Sequence, residues 1–229
     1  MNYTIGRMMT ERRRLEEENT DYKVFFKNDN LLEFDAFVYG PDDSLYKHKL
    51  VKLRFNIPPM YPMEPPIVTH VQYSGGRIHP NLYVDGNVCL SILGTWFGEE
   101  WTPSLGIHIV LICIRALLDN EPYRHEPNCG NNPRYNEFVQ YITWRVSFTD
   151  HIITILLDHL KYETDGPSKT FLKNFVRAHA IGIVGDLFHQ KDTNKNIDRM
   201  LDLYSHWEFR PEYDRMIEDL RDAVKDAMD

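Results

Sequence analysis

Residues 78–93 read IHPNLYVDGNVCLSIL and contain the most informative pattern in the sequence. A His-Pro-Asn triplet ends at Asn81, Cys89 follows eight residues later, and Trp101-Thr102-Pro103 comes further along the same irregular segment. Cys89 has an apolar residue on each side, and free cysteine is among the most frequently buried residue types. On that fact alone, an inert core thiol is favoured over a reactive one.

Four predicted strands precede this segment. They are separated by turn-prone sequences rich in Asn, Asp, Gly and Pro, which favour short connections. Short connections between consecutive strands indicate an antiparallel meander rather than alternating parallel units. Apolar and polar residues alternate imperfectly in the third strand. The predicted strands cover residues 22–27, 31–39, 47–57 and 67–73.

A helix over residues 4–18 is predicted ahead of the strands, because apolar residues recur there at helical spacing and Thr4 can cap its start. Its charged cluster, residues 11–14, reads Glu-Arg-Arg-Arg and is followed by three more glutamates. We interpret this cluster as a solvated helix face with internal ion pairs.

The chain beyond the Cys89 segment is predicted to be mainly helical. Residues 75–103 form a long irregular stretch with several aromatic residues, which is typical of an ordered functional loop. Helices are predicted from about Ser104 and over residues 135–160, 171–187, 197–207 and 211–228, with a loop over 119–133. The fold class is therefore α+β, with a core of residues 1–150 and a helical C-terminal extension of residues 151–229 packed on or beside it.

Composition and charge exclude several classes of protein. With 42% hydrophobic and 26% charged residues, the 229-residue chain has the composition of a soluble globular protein. A net charge of −8 disfavours nucleic acid as a partner. No apolar run is long enough for a membrane helix, and the first residues contain no signal segment. Three irregularly spaced cysteines favour a reducing compartment, so we expect a cytoplasmic or nuclear protein.

Metal and cofactor sites are not predicted. The ten histidines and three cysteines form no CxxC, HxxxH or HExxH pattern, so no local zinc site is encoded. The sequence also has no glycine-rich phosphate loop ending in GKS or GKT. We therefore expect neither a metal nor a cofactor.

The order of the motifs resembles the ubiquitin-conjugating enzyme family. His-Pro-Asn, then Cys89-Leu90, then Trp101-Thr102-Pro103 is similar to the active-site pattern of that family. Residues 61–66, Tyr-Pro-Met-Glu-Pro-Pro, are similar to its YPxxPP loop. Several motifs in the right order are a more specific signal than one short pattern. The strings at 89–96 and 120–127 most resemble the large, C-terminally extended branch of the family.

The resemblance implies a fold and an activity. The fold would be the ubiquitin-conjugating fold with a helical extension. The activity would be that of a transferase that accepts ubiquitin or a ubiquitin-like modifier from an activating enzyme as a thioester on Cys89. The modifier would then pass to a substrate lysine or to a ligase.

The resemblance also implies a role for each motif residue. Cys89 would be the carrier nucleophile, and Asn81 would order the loop and stabilise the oxyanion formed when lysine attacks. His79, Pro80 and Trp101 would shape the loop. A cysteine-hydrolase dyad of His79 with Cys89 is disfavoured, because no spacing in the sequence supplies a base together with an orienting group.

Two positions depart from the family pattern. Many members have an acidic residue two positions after the cysteine, where this chain has Ser91. Many also have an acidic gate residue after the next helix, where this chain has His125 and Glu126. Either side chain could position or deprotonate the incoming lysine, or could be a solvated loop residue. Glu126 is the preferred candidate.

Partner surfaces follow from the resemblance. The first helix of the family docks the activating enzyme, and two loops bind ligases. An aromatic pair in the loop after Cys89, Trp96-Phe97, could be core packing or a partner contact. The implied activating-enzyme contacts are Arg7, Arg12, Arg13 and Arg14, and the implied ligase contacts are Met63, Thr102, Pro103 and Ser104.

The activity and the role of the C-terminal helices each have an alternative interpretation. A catalytically silent scaffold that binds ubiquitin is the rival to an active enzyme, although such variants usually lack the cysteine. The C-terminal helices could stabilise the core or contact the activating enzyme, and stabilisation is favoured because their apolar faces need burial.

Overall fold

The computed structural model describes residues 3–27, 30–127, 130, 132–156 and 166–228. Helix α1, Tyr3–Leu15, is followed by four strands and then by helices, so the predicted α+β order is confirmed. Among the described residues, no helix combines the length and the apolar content needed to cross a membrane. The strands are β1 Tyr22–Phe26, β2 Glu33–Tyr39, β3 Leu50–Asn56 and β4 Ile67–His70, and the next helices are α2 Ile107–Leu117, α3 Pro133–Thr143, α4 Thr154–Leu156, α5 Gly166–Thr193 and α6 Tyr213–Met228.

The sheet has the order β1-β2-β3-β4 with antiparallel neighbours, as predicted. Both of its faces are buried. Ala36 and Val38 pack in a cluster with α1 and α2, whereas Phe37 packs on the opposite face against α5. Leu50 and Val51 of β3 divide between the two faces in the same way. Consecutive apolar residues are expected in a strand that is covered on both sides, which explains the imperfect alternation.

The prediction that the charged cluster of α1 is solvated is wrong at Glu11, which is only 6% exposed. Its carboxylate accepts hydrogen bonds from the Tyr61 hydroxyl at 2.5 Å, the Ile107 amide at 3.0 Å and Arg7 Nε at 2.7 Å. A buried carboxylate is tolerated when its oxygens are hydrogen-bonded in this way, and a negative charge is favourable at the first residue of α2. Glu11 therefore joins α1, the proline-rich loop and α2.

The C-terminal region is attached to the sheet by a π-helical segment, Trp144–Ile153, which continues α3. His151 in this segment is fully buried, and its Nδ1 lies 2.7 Å from the Leu50 carbonyl and 3.2 Å from the Lys52 amide, both in β3. The predicted helix over 135–160 is thus α-helical and then π-helical, and its last four residues lie outside the described part. The predicted boundary after residue 150 falls inside the π-helical segment and stays a prediction.

The predicted helix over 197–207 is wrong. Met200–Leu201 (β5) pairs antiparallel with Glu208–Phe209 (β6), and we name residues 200–209 the C-terminal hairpin. In its loop the Asp202 carboxylate accepts hydrogen bonds from the amides of Tyr204 and Ser205, at 2.9 and 3.3 Å. Such local bonds from Asp to the main chain compete with helix formation, so the apolar spacing in this segment did not produce a helix.

Candidate active site

The Cys89 loop, residues 78–89, brings Cys89 back beside Asn81. The Cys89 amide donates to the Asn81 carbonyl at 2.8 Å, and the thiol residue is half-buried. Gly86 lies at the turn of the loop with a φ of 96°, and a Cβ at this position would lie 2.7 Å from Thr69 Cγ2. Both the conformation and the space require glycine, so the sequence itself fixes where the loop reverses.

Asn81 holds the main chain at Cys89. Its Nδ2 donates to the Cys89 carbonyl at 2.8 Å, and its own amide donates to His79 Nδ1 at 3.0 Å. The side chain is 7% exposed, and it is fixed by these bonds. An asparagine amide carries two N–H donors. One donor makes the bond to the Cys89 carbonyl.

His79 is fully buried beneath the loop. Since its Nδ1 accepts a hydrogen bond from the Asn81 amide, the proton of the neutral ring resides on Nε2. Burial lowers the pKa of His79 well below its ordinary value, and the neighbouring His125 lowers it further. A neutral ring whose Nδ1 is occupied by the main chain cannot serve as the base for Cys89, and this supports a structural role.

Two other motif residues also make structural contacts. Trp101 Nε1 donates to the Pro62 carbonyl at 2.7 Å, and its ring lies 5.9 Å from that of Tyr61. The carbonyl of Pro80 accepts a hydrogen bond from the Arg77 guanidinium. These contacts tie the proline-rich loop and the Cys89 loop to the segments around them.

The thiol of Cys89 lies in a mixed electrostatic environment. Burial raises its pKa, and the negative charges of Asp85 and Glu126 add to this. A hydrogen bond from the Tyr83 hydroxyl and the positive charge of Arg77 lower the same pKa. The Arg77 guanidinium lies 3.7 Å from the centre of the Tyr83 ring, so these two groups form one unit beside the sulfur. At neutral pH the protonated thiol is therefore the main form.

His125, the other candidate gate residue, lies between His79 and Asp119. Its Nε2 lies 2.9 Å from Asp119 Oδ2, and its ring is 4.8 Å from that of His79. It therefore packs under the Cys89 loop, between the buried histidine and a carboxylate. Its position is that of a supporting residue.

Glu126 lies beside Tyr204 and Arg77. Its Oε1 accepts a hydrogen bond from the Tyr204 hydroxyl at 2.5 Å and lies 3.9 Å from Arg77 Nη2. Its negative charge is one of the groups that raise the pKa of Cys89, and its role as the gate residue stays a prediction. Sequence reasoning missed Arg77, Tyr83 and Tyr204. No motif marked the first two, and the third lies in the segment predicted to be helical.

Comparison with known proteins identifies the family. The family described as "Ubiquitin-conjugating enzyme" matches residues 7–141, which include most of α1, the sheet, the Cys89 loop and α2. This range covers more than half of the chain. The protein belongs to the ubiquitin-conjugating enzyme family.

Several curated family members are similar to this chain. Ubiquitin-conjugating enzyme E2 Z of Danio rerio is 37% identical over 129 residues, which is 53% of this chain and 39% of that protein. The human E2 Z is also 37% identical over 129 residues and is covered to 36%. A ubiquitin-conjugating enzyme E2 of African swine fever virus (isolate Pig/Kenya/KEN-50/1950) is 38% identical over 125 residues, 52% of this chain and 56% of that protein. The chain thus spans about 40% of the E2 Z proteins.

The four arginines of α1 that are expected to contact an activating enzyme have different surroundings. Arg7 donates to the carbonyls of Pro103 and Leu105, at 3.1 and 2.6 Å, and therefore holds a loop of this same chain. Arg12 pairs with Glu16 at 2.7 Å. Arg13 and Arg14 are exposed. In this member of the ubiquitin-conjugating enzyme family, the last two arginines are thus the ones open to a partner, and the contact itself stays a prediction.

The residues expected to contact a ligase lie on the surface. Met63 is 58% exposed, and Thr102, Pro103 and Ser104 are all exposed. Trp101 and Arg7 hold the two loops that carry them through bonds to Pro62 and Pro103. Side chains presented on fixed loops suit a docking surface, and the ligase contact stays a prediction.

The aromatic pair after Cys89 is exposed, and the core-packing alternative is therefore wrong. Phe97 is 92% exposed and Trp96 is 39% exposed, with 6.2 Å between the ring centres. The pair belongs to residues 94–100, next to the Cys89 loop. A large exposed apolar pair beside Cys89 is a candidate contact for a partner protein.

The other two cysteines are Cys113 and Cys129. Cys113 on α2 is a free, half-buried thiol whose pKa is raised by burial. Cys129 lies outside the described residues. Within the described part of the chain, no group of three or more His, Cys, Asp or Glu residues could hold a metal ion.

Proposed function

We propose that this chain receives ubiquitin or a ubiquitin-like modifier from an activating enzyme, carries it as a thioester on Cys89 and passes it to a substrate lysine or a ligase. One observation carries the proposal: Cys89 is a half-exposed thiol whose main chain is held by the Asn81 amide at 2.8 Å. Membership of the ubiquitin-conjugating enzyme family supports it.

Loading is an exchange of thioesters. The Cys89 thiolate attacks the carbonyl carbon of the modifier on the activating enzyme, the new C–S bond forms, and the sulfur of the activating enzyme leaves as a thiolate. The Tyr83 hydroxyl and Arg77 favour the attacking thiolate, because both lower the pKa of Cys89. The exchange needs no redox partner and no bound cofactor, since the activating enzyme supplies the activated modifier.

Transfer to lysine is an aminolysis. The amine nitrogen attacks the thioester carbonyl, the C–N bond forms, the C–S bond breaks, and Cys89 leaves as a thiolate. The second N–H of Asn81 would stabilise the transient oxyanion. The proton lost by the amine would pass to Glu126, whose charge raises the pKa of the Cys89 thiol.

A carrier thiol must stay reduced, and for this reason we propose that the protein works in a reducing compartment, the cytosol or the nucleus. The two described cysteines, Cys89 and Cys113, are both free. The proposed partners are the modifier, its activating enzyme and a ligase.

The test of the proposed function is thioester formation with purified activating enzymes, ATP and modifier. We expect an adduct on non-reducing gels that disappears with reductant and is absent in Cys89→Ala. Cys113→Ala is the matched control, because it removes a half-buried thiol on α2 and should leave the adduct intact. If several competent activating enzymes give no adduct while the modifier still binds non-covalently, the chain is a scaffold and the proposal is wrong.

A further inference from the structure

The C-terminal hairpin reaches the active site through a single residue at its tip. Asp202 fixes the tip, since its carboxylate accepts the Tyr204 and Ser205 amides and its own amide donates to the Trp207 carbonyl at 2.9 Å. The base of the hairpin rests on α3, where Phe209 stacks on Tyr141 with 5.3 Å between ring centres. Tyr204 is thus presented from a fixed turn rather than from a loose loop.

Tyr204 contacts the charged groups that act on Cys89. Its hydroxyl donates to Glu126 Oε1, because an ionised carboxylate can only accept, and its oxygen lies 3.1 Å from the Tyr135 hydroxyl. Its ring centre is 4.1 Å from the Arg77 guanidinium, which has the Tyr83 ring 3.7 Å away. Arg77 is therefore held between one aromatic ring from the Cys89 loop and one from the hairpin.

The hydroxyl of Tyr204 remains a donor under the conditions of catalysis. Burial raises its pKa well above the ordinary value, and Tyr135 and Glu126 raise it further. Arg77 lies 3.9 Å from the same carboxylate oxygen, which is beyond a normal hydrogen bond. The short bond that orients the Glu126 carboxylate is thus the one from Tyr204.

We propose that Tyr204 is a positioning residue that holds Glu126 and Arg77 beside Cys89, so that the C-terminal hairpin sets the rate of transfer to lysine. This inference rests on the proposed function. The proton lost by the attacking amine passes to Glu126, and Tyr204 fixes the position of that carboxylate through its hydrogen bond. The hairpin lies beyond residues 7–141, the range that matches the family. Control of the transfer rate by Tyr204 would therefore come from outside the matched family domain.

The test separates loading from transfer in the full chain. Tyr204→Phe keeps a ring over Arg77 but removes the hydroxyl bond to Glu126. We expect wild-type loading of Cys89 and a discharge to free lysine that is slower by about tenfold, since a positioned proton acceptor is typically worth more than that in full. The pH profile of discharge should move to higher pH, because the amine then has to lose its proton to solvent.

Tyr213→Phe is the matched control. Tyr213 is a buried tyrosine of the same C-terminal region whose hydroxyl accepts a hydrogen bond from Asn194 Nδ2 at 2.7 Å, and discharge should stay at the wild-type rate. In the double variant Tyr204→Phe with Glu126→Gln, discharge should be no slower than in Glu126→Gln alone, because Tyr204 acts through Glu126.

Three outcomes would overturn the inference. Discharge by Tyr204→Phe at the wild-type rate would show that the hydroxyl positions nothing. An equal loss of loading and discharge, with an unchanged pH profile, would show a purely structural role. If the wild-type protein forms no adduct, the proposed function fails first and the inference fails with it, whereas normal loading with unchanged discharge leaves the proposed function intact.

Discussion

The Cys89 loop and the C-terminal hairpin meet at Arg77 but are built in different ways. The loop is held by bonds over short sequence distances, such as the Asn81 amide to the Cys89 carbonyl, eight residues apart. The hairpin acts over a long distance, since Tyr204 and Glu126 are 78 residues apart. One region is thus specified locally, and the other depends on how distant parts of the chain pack.

This difference suggests a division of labour, in which the Cys89 loop and the C-terminal hairpin position different groups of the site. The bonds within the Cys89 loop determine where the thiol and the Asn81 side chain lie. The contact from the hairpin determines where the Glu126 carboxylate lies. Perturbing the loop should affect the reacting atoms directly, whereas perturbing the hairpin or its attachment should act through stability and through the gate residue.

The largest expected effect is loss of stability in acid, at the junction of the two regions. Buried His70 contacts the Cys89 loop, since its amide donates to the Gly86 carbonyl at 2.8 Å, and buried His151 joins the C-terminal region to β3. Burial lowers the pKa of His70 to about 3 and that of His151 to about 4. Both folded pKa values lie below the pKa of about 6.5 that histidine has in the unfolded chain, so the unfolded chain binds protons more tightly. The free energy of unfolding therefore falls as the pH drops below about 6.5.

Each histidine contributes about 1.4 kcal/mol per pH unit well below pH 6.5 and about half of that at pH 6.5 itself, so the pair lowers the free energy of unfolding by about 3 kcal/mol between pH 6.5 and 5. Urea unfolding across this range measures the slope. His151→Gln should make the slope shallower by about one proton, whereas the exposed His189→Gln should leave it unchanged. An unaltered slope in His151→Gln would mean that His151 does not contribute to the loss of stability in acid.

The second expected effect is confined to the loop. Asn81→Ala removes the donor at the Cys89 carbonyl and the proposed oxyanion donor, and we expect discharge to lysine to slow by about a hundredfold. Single-turnover discharge of the purified thioester measures it. Asn87→Ala is the matched control, because the exposed Asn87 side chain in the same loop bonds only locally, to Asp85 at 2.8 Å. A hundredfold loss in both variants would point to collapse of the loop instead.

Locally encoded features were predicted well from the sequence. The motif order identified the family, and the short, turn-prone connections between the strands predicted the four-stranded meander. The turn at Gly86 is encoded by one residue that tolerates a φ of 96°, so the loop geometry follows from the sequence itself.

Features that depend on distant contacts were missed. Glu11 was interpreted as solvated, because its partners Tyr61 and Ile107 lie 50 and 96 residues away. The hairpin was taken for a helix because apolar spacing carries no information about where Asp202 places its carboxylate. Arg77 and Tyr204 meet only after the C-terminal region folds onto α3, so no local pattern marked them.

The smallest expected effect tests whether the loop alone sets the reactivity of the thiol. Tyr83→Phe keeps the ring under Arg77 but removes the hydroxyl that lowers the pKa of Cys89. With that bond gone the pKa rises, the thiolate fraction at pH 7.5 falls, and alkylation of Cys89 by iodoacetamide should slow by about threefold. Cys113 on α2 is the internal control, and its alkylation should not change.

Comparing the two tyrosines that flank Arg77 then sharpens the contrast between the regions. Tyr83→Phe should slow alkylation of the free thiol, whereas Tyr204→Phe should slow discharge with little change in alkylation. If Tyr204→Phe shifts the alkylation rate as much as Tyr83→Phe does, the hairpin acts on the pKa of Cys89 through Arg77 rather than on the position of Glu126. In that case the loop and the hairpin would form one electrostatic unit, and the division of labour between them would be wrong.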